Sequence, residues 1–192
     1  MTAIYKLVLA SGSPRRRELL LQAGLTDFEI RVPDTEERLP DGLSPAETVE
    51  AVSRQKAEAV DAAPDEIVIA ADTMVFLDDM RLGKPRDEAD ALRTLTALQG
   101  RRHTVHTGVT VRQGGRFLTR SEATDVTFRP ASRETLLRYI ATGEPMDKAG
   151  AYGLQGRGVV LVERVDGDFT NVIGLPLPLL DNMLSEFGFR LL

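Results

Sequence analysis

Tyr5-Lys6-Leu7-Val8-Leu9-Ala10-Ser11-Gly12-Ser13-Pro14-Arg15-Arg16-Arg17 passes from strand to turn to helix, and the fold class follows from that reading. The apolar run Tyr5 to Ala10 suits a short buried strand, and Ser11-Gly12-Ser13 suits a turn. Pro14 to Gln22 reads as a helix closed by Gly24, with Ser13 as N-cap and Pro14 as first helical residue. Phe28 to Val32 is a second strand candidate. Ser44-Pro45-Ala46-Glu47 is a capping box that opens a helix to about Ala62. Glu66 to Ala71 is a continuous apolar run and reads as a buried strand, followed by a hairpin of Met74 to Leu77 and Met80 to Leu82 about Asp78-Asp79. Asp87 to Leu98 is helical, with acids in its first turn.

His103 to Arg112 and Arg116 to Arg129 form a long hairpin through Gly114-Gly115, and Ser132 to Thr142 is a helix. The glycine-dense stretch Gly150 to Gly158 precedes a strand at Val159 to Val165. Asp166-Gly167 reads as a hairpin turn into Phe169 to Ile173, and a helix from about Leu177 to Phe187 ends the chain. A strand–helix start combined with long hairpins predicts an α/β or α+β fold with a mixed sheet, not a Rossmann array. No repeat or low-complexity linker divides the sequence, so residues 1–192 read as one domain.

Composition narrows the chemistry. Hydrophobic residues make up 42% and charged residues 28% of the 192, values of an ordinary globular protein. Lys plus Arg is 24 against 29 for Asp plus Glu, a net charge of −5 that argues against a broad nucleic-acid surface. Cysteine is absent, which removes disulfides, thiolate catalysis and Cys-based metal sites. Apolar runs such as Ile67 to Ala71 are too short to span a bilayer, and the N-terminus lacks a signal-peptide pattern. The expectation is a cytoplasmic protein.

Several residues break local rules. Arg15, Arg16 and Arg17 oppose the dipole at the start of their helix. An anion held there would reverse the sign, because backbone N–H groups, serine hydroxyls and guanidinium groups would converge on it; three solvated arginines are the alternative. Asp72 ends an apolar strand, where a carboxylate needs a metal, a cation or water as partner, unless it simply turns a corner into solvent. Lys56 shares a helix face with Val52 and Val60, either snorkelling at the core edge or reaching for phosphate.

Lys84 and Lys148 lie in loops, and the acidic loop with Asp34, Glu36 and Glu37 offers oxygen ligands suited to Mg²⁺. His103 and His106 fall on opposite faces of a strand, which suits structural histidines better than a metal pair. The glycines at 150, 153, 156 and 158 lack dinucleotide-fold spacing, and Gly83-Lys84 is not a P-loop.

Together these segments resemble the Maf family of nucleoside triphosphate pyrophosphatases along essentially the whole chain. The blocks are Leu9-Ala10-Ser11-Gly12-Ser13-Pro14-Arg15-Arg16, Gln55-Lys56-Ala57, Ala71-Asp72-Thr73, and Leu82-Gly83-Lys84-Pro85. Tyr139-Ile140, Glu144 through Gly153, Asp166-Gly167-Asp168 and Val172 through Pro176 complete the set. The resemblance implies an α/β fold with a mixed twisted sheet, flanking helices and two lobes around a central cleft, commonly as a homodimer. It also implies Mg²⁺- or Mn²⁺-dependent hydrolysis of a nucleoside triphosphate to the monophosphate and pyrophosphate.

By motif match, Asp72 is the proton acceptor, and Ser11, Arg15, Lys56 and Lys84 handle the triphosphate. Glu36 matches the metal position together with Asp72, with Glu37 as the alternative to Glu36. Ala151-Tyr152-Gly153-Leu154-Gln155-Gly156 resembles the dTTP/UTP branch, in which Arg15, Thr73 and Gln155 match positions that set substrate preference. The chemistry is coherent with that expectation: cations offset the charge of the phosphate chain, and a Gln amide pairs with the acceptors and donor of a pyrimidine ring. A nucleotide-binding division regulator without essential turnover and a terminal phosphatase are the competing readings.

Overall fold

The structure is a computed structural model that describes residues 6–35, 38–39 and 42–192. It is a mixed α/β fold built on a seven-stranded sheet with flanking helices, as the sequence predicts. In chain order the strands are β1 (Lys6–Leu9), β2 (Glu29–Ile30), β3 (Glu66–Leu77), β4 (Met80–Leu82), β5 (Arg102–Gln113), β6 (Arg116–Phe128) and β7 (Val162–Asp166). The helices are α1 (Pro14–Gln22), α2 (Pro45–Ala59), α3 (Glu88–Leu98), α4 (Arg133–Ile140), α5 (Phe169–Ile173) and α6 (Leu177–Ser185).

The sheet order is β2-β1-β3-β5-β6-β7, with β4 paired to β3. β1 runs parallel to both β2 and β3, whereas β4 on β3 and β7 on β6 are antiparallel. The chain divides into two compact units, residues 1–72, 107–122 and 174–192 in the first and 73–106 and 123–173 in the second.

In the first unit, Val8, Ala10, Val68 and Ala70 of the parallel strands pack with Ala57 and Val60 of the α2 segment. α2 opens on the predicted capping box: the Ser44 hydroxyl accepts from the Glu47 N–H, and the Glu47 carboxylate accepts from the Ser44 N–H. α2 also lies directly on β5. A Cβ on Gly108 would sit 2.2 Å from the Val49 carbonyl oxygen, so only glycine permits that approach. In the second unit the core joins Val75, Leu77, Leu95, Leu98, Val126 and Phe128.

Three local expectations are corrected. Ser13 occupies the N-cap of α1, but its side chain makes no capping hydrogen bond. Residues Arg157–Leu161 form a 3-10 helix, so strand structure begins only at Val162, where pairing with Phe128 starts. The proposed strand Phe169 to Ile173 is helix α5. There, Asp168 Oδ1 accepts from both the N–H and the hydroxyl of Thr170, at 2.7 and 2.6 Å. A short polar side chain thus offers the backbone a helical start in place of a ladder partner. Buried Asn171 then anchors the turn by donating to the Val105 carbonyl and the Thr124 hydroxyl.

Candidate active site

The loop after β1 is organised by Ser11 rather than Ser13. Ser11 is buried, and its hydroxyl oxygen accepts from the Ser13 N–H and from Arg16 Nη1, each at 3.2 Å. Arg16 also donates through Nε to the Gly174 carbonyl at 2.8 Å, so this guanidinium folds back on the loop. Arg15 is half-buried beside it and Arg17 is exposed. The first turn of α1 carries no acidic residue.

Asp72 stands inside β3, not at a corner, because the strand runs on through Leu77. Its carboxylate is buried, and Oδ1 accepts from Lys56 Nζ at 2.6 Å, the two side chains being 9% and 14% exposed. Lys56 follows the face of Val52 and Val60 as predicted, yet it does not merely snorkel to solvent. It crosses from α2 to β3 and supplies the counter-charge that a buried carboxylate requires. Among the described residues, Oδ2 of Asp72 is buried with no hydrogen-bond partner. A carboxylate oxygen placed in this way is a hard acceptor, suited to a water proton or a divalent cation.

The second unit holds the other predicted residues. Thr73 follows Asp72 in β3 and is half-buried, while Lys84 is exposed just after β4. Gly83, beside it, accepts from the Gly150 N–H through its carbonyl at 3.1 Å. Gln155 is exposed in the loop that leads into the Arg157–Leu161 turn. Lys148, in its loop, donates to the Glu144 carbonyl and to Asp147 Oδ1, at 2.8 and 2.6 Å.

Glu36 and Glu37 lie outside the described residues. Among the described residues no group of three or more His, Cys, Asp or Glu side chains converges to hold a metal. The two histidines lie in packed surroundings. His103 is buried with Nε2 2.8 Å from the Tyr152 hydroxyl, and burial pushes its imidazole down to about 4. His106 packs edge-on against Phe76.

Sequence reasoning missed Glu144. Its carboxylate accepts from the Arg157 and Gly158 N–H groups, at 2.7 and 3.0 Å, and from the Tyr139 hydroxyl at 2.9 Å. The signal was present in the glycines at 156 and 158, whose missing side chains make room for this cluster.

A mixed sheet with flanking helices is also the fold of the Ham1 proteins. That of Staphylococcus aureus superposes with a TM-score of 0.54 over 95% of this chain and 99% of its own, at 15% identity. The chain belongs to the Maf-like protein family, whose model matches residues 6–187. It is 49% identical over 187 residues to a dTTP/UTP pyrophosphatase of Symbiobacterium thermophilum, covering 97% of this chain and 96% of the relative. A dTTP/UTP pyrophosphatase of Bacillus velezensis is 47% identical over 186 residues, covering 96% and 98%.

Proposed function

We propose that this chain hydrolyses dTTP and UTP, and modified pyrimidine nucleoside triphosphates, to the monophosphate and pyrophosphate. The family and the activity named for relatives of nearly full coverage support the reaction. The observation that carries it to particular atoms is the buried Lys56–Asp72 pair, with one carboxylate oxygen engaged and the other open.

In this reading Asp72 Oδ2 takes a proton from the attacking water while Lys56 holds Oδ1 and fixes the carboxylate's orientation. The water oxygen bonds to the α-phosphorus, the bond from that phosphorus to the bridging oxygen breaks, and pyrophosphate leaves with the electron pair. Ser11 and Arg15 bind phosphate oxygens at the start of α1, and Lys84 offsets charge on the leaving group. Thr73 and Gln155 read the base, the Gln amide pairing with a pyrimidine carbonyl and N–H.

The Asp72 carboxylate fits a divalent cation, Mg²⁺ or Mn²⁺, since such ions bind through one or two carboxylates and the substrate's own phosphates. Asp72 and Glu36 would hold it. When bound, the ion neutralises phosphate charge and polarises the reacting phosphoryl group. Residues 1–192 act as a single domain in this proposal, in a cytoplasmic homodimer of the kind the family resemblance implies. Among the described residues no helix is long and apolar enough to cross a membrane.

The test is pyrophosphate release from dTTP, UTP, ATP and GTP with Mg²⁺, using Asp72→Asn as control. Turnover should favour the pyrimidine substrates, and the variant should lose about 10²- to 10⁴-fold, the range of a general base. Orthophosphate with a nucleoside diphosphate as products, or equal turnover of all four, would sink the proposal.

A further inference from the structure

The loop that carries Gln155 has no regular structure of its own, since residues 153–156 lie in neither helix nor strand. Its shape is imposed from α4 and the 3-10 turn Glu144–Asp147. The Glu144 carboxylate accepts from Arg157 N–H at 2.7 Å and Gly158 N–H at 3.0 Å, both just beyond Gln155. It also accepts from the Tyr139 hydroxyl at 2.9 Å, and that hydroxyl oxygen accepts from Gly153 N–H at 3.2 Å, just before Gln155. Glu144 and Tyr139 therefore grip the loop on both sides of the side chain it presents.

The backbone wraps these groups closely. A Cβ on Gly156 would lie 2.5 Å from the Glu144 carboxylate, and one on Gly158 would lie 2.5 Å from the Tyr139 hydroxyl. The preceding Tyr152 is tied to His103 through its hydroxyl. Burial pushes the Glu144 carboxyl up, but the N–H groups of Gly158 and Arg157 and the Tyr139 hydroxyl outweigh that and hold it below the ordinary range. The acceptor is accordingly ionised at neutral pH, the form in which all three donors are satisfied.

We propose that Glu144, with Tyr139, is a positioning residue for base selectivity, holding the 153–158 loop in the one shape that presents Gln155 to a pyrimidine. The proposal rests on the pyrimidine-hydrolase reading above. Glu144 acts through the loop, so it governs how tightly the preferred base is bound and leaves the bond-breaking groups untouched. An amide at position 144 would place an NH₂ against a backbone N–H, releasing at least one anchor.

The experiment measures kcat and KM for pyrophosphate release from dTTP and GTP, with thermal melts, for wild type, Glu144→Gln and Tyr139→Phe. In Glu144→Gln the KM for dTTP should rise about tenfold with kcat within about threefold, the scale of one lost charge-assisted hydrogen bond. The KM for GTP should stay, so the dTTP-over-GTP preference falls about tenfold. Tyr139→Phe, which keeps the two carboxylate–backbone bonds, should move the same way by less.

Folded variants with wild-type preference overturn the proposal, and so does an equal loss of kcat on both substrates, which marks a merely structural role. If Glu144→Gln does not fold, an unchanged preference in folded Tyr139→Phe is sufficient to overturn it. A wild type without pyrophosphate release or pyrimidine preference instead rejects the functional reading, and this proposal falls with it.

Discussion

Asp72 has two oxygens in different situations, and the difference is where its chemistry lies. Oδ1 accepts from Lys56 Nζ, and Oδ2 is buried and makes no hydrogen bond among the described residues. Each partner is costly without the other, since a lone buried charge must be desolvated without compensation. Lys56→Met should therefore destabilise the fold by about 3 kcal/mol, the low end for breaking a buried pair. It should also reduce pyrophosphate release, because the carboxylate loses the bond that fixes its orientation. Combining Lys56→Met with Asp72→Asn removes the stranded charge. Urea melts should then find the double variant more stable than Lys56→Met alone, and strictly additive losses would show that the pair is not coupled.

Elements position the pair. α2 carries Lys56 and rests on β5 where Gly108 meets the Val49 carbonyl, so helix and strand approach to backbone contact. Gly108→Ala should cost at least about 3 kcal/mol, beyond ordinary overpacking because the obstruction is backbone that cannot rotate away. A melting temperature within a degree or two of wild type would refute that reading. The same displacement of α2 would draw Lys56 from Asp72, so activity should fall with stability. α5 teaches a related lesson about elements: where the sequence suggests a strand, a helix starts with two bonds from Thr170 to Asp168 Oδ1.

At the scale of the molecule, acid stability should fall in two windows. Burial holds His103 down from 6.5 to about 4, so its neutral form stabilises the fold fully above 6.5. That contribution is lost as pH drops toward 4, because the unfolded chain takes the proton first. Glu66, at the start of β3, is held down from 4.5 to about 2, chiefly by the Arg31 guanidinium and then by the Ala63 N–H. Its contribution is complete above 4.5 and lost between there and 2. Thermal melts across pH should show His103→Asn flattening the upper window and Glu66→Gln the lower. Parallel curves for variant and wild type would reject the assignment.

Much of this protein was legible in its sequence. The strand–turn–helix start, the capping box before α2 and the Gly114-Gly115 hairpin are local patterns, and each appears within a few residues of its expected place. The fold class followed because local periodicity and turn chemistry agree in most of the chain. Asp72 and Lys56 stood out because a carboxylate in an apolar strand and a lysine on an apolar face both violate burial rules.

Their union at 2.6 Å did not stand out, since residues sixteen apart meet only when α2 is laid on the sheet. Glu144 remained hidden for the same reason: two of its three donors are backbone N–H groups thirteen and fourteen residues away, which no side-chain pattern advertises. The sequence by itself determined which elements form and where unusual charges sit, because those depend on neighbours along the chain. Only the tertiary structure decided which charges are paired, which oxygen stays open and what grips the 153–158 loop, because desolvation and hydrogen bonding depend on neighbours in space.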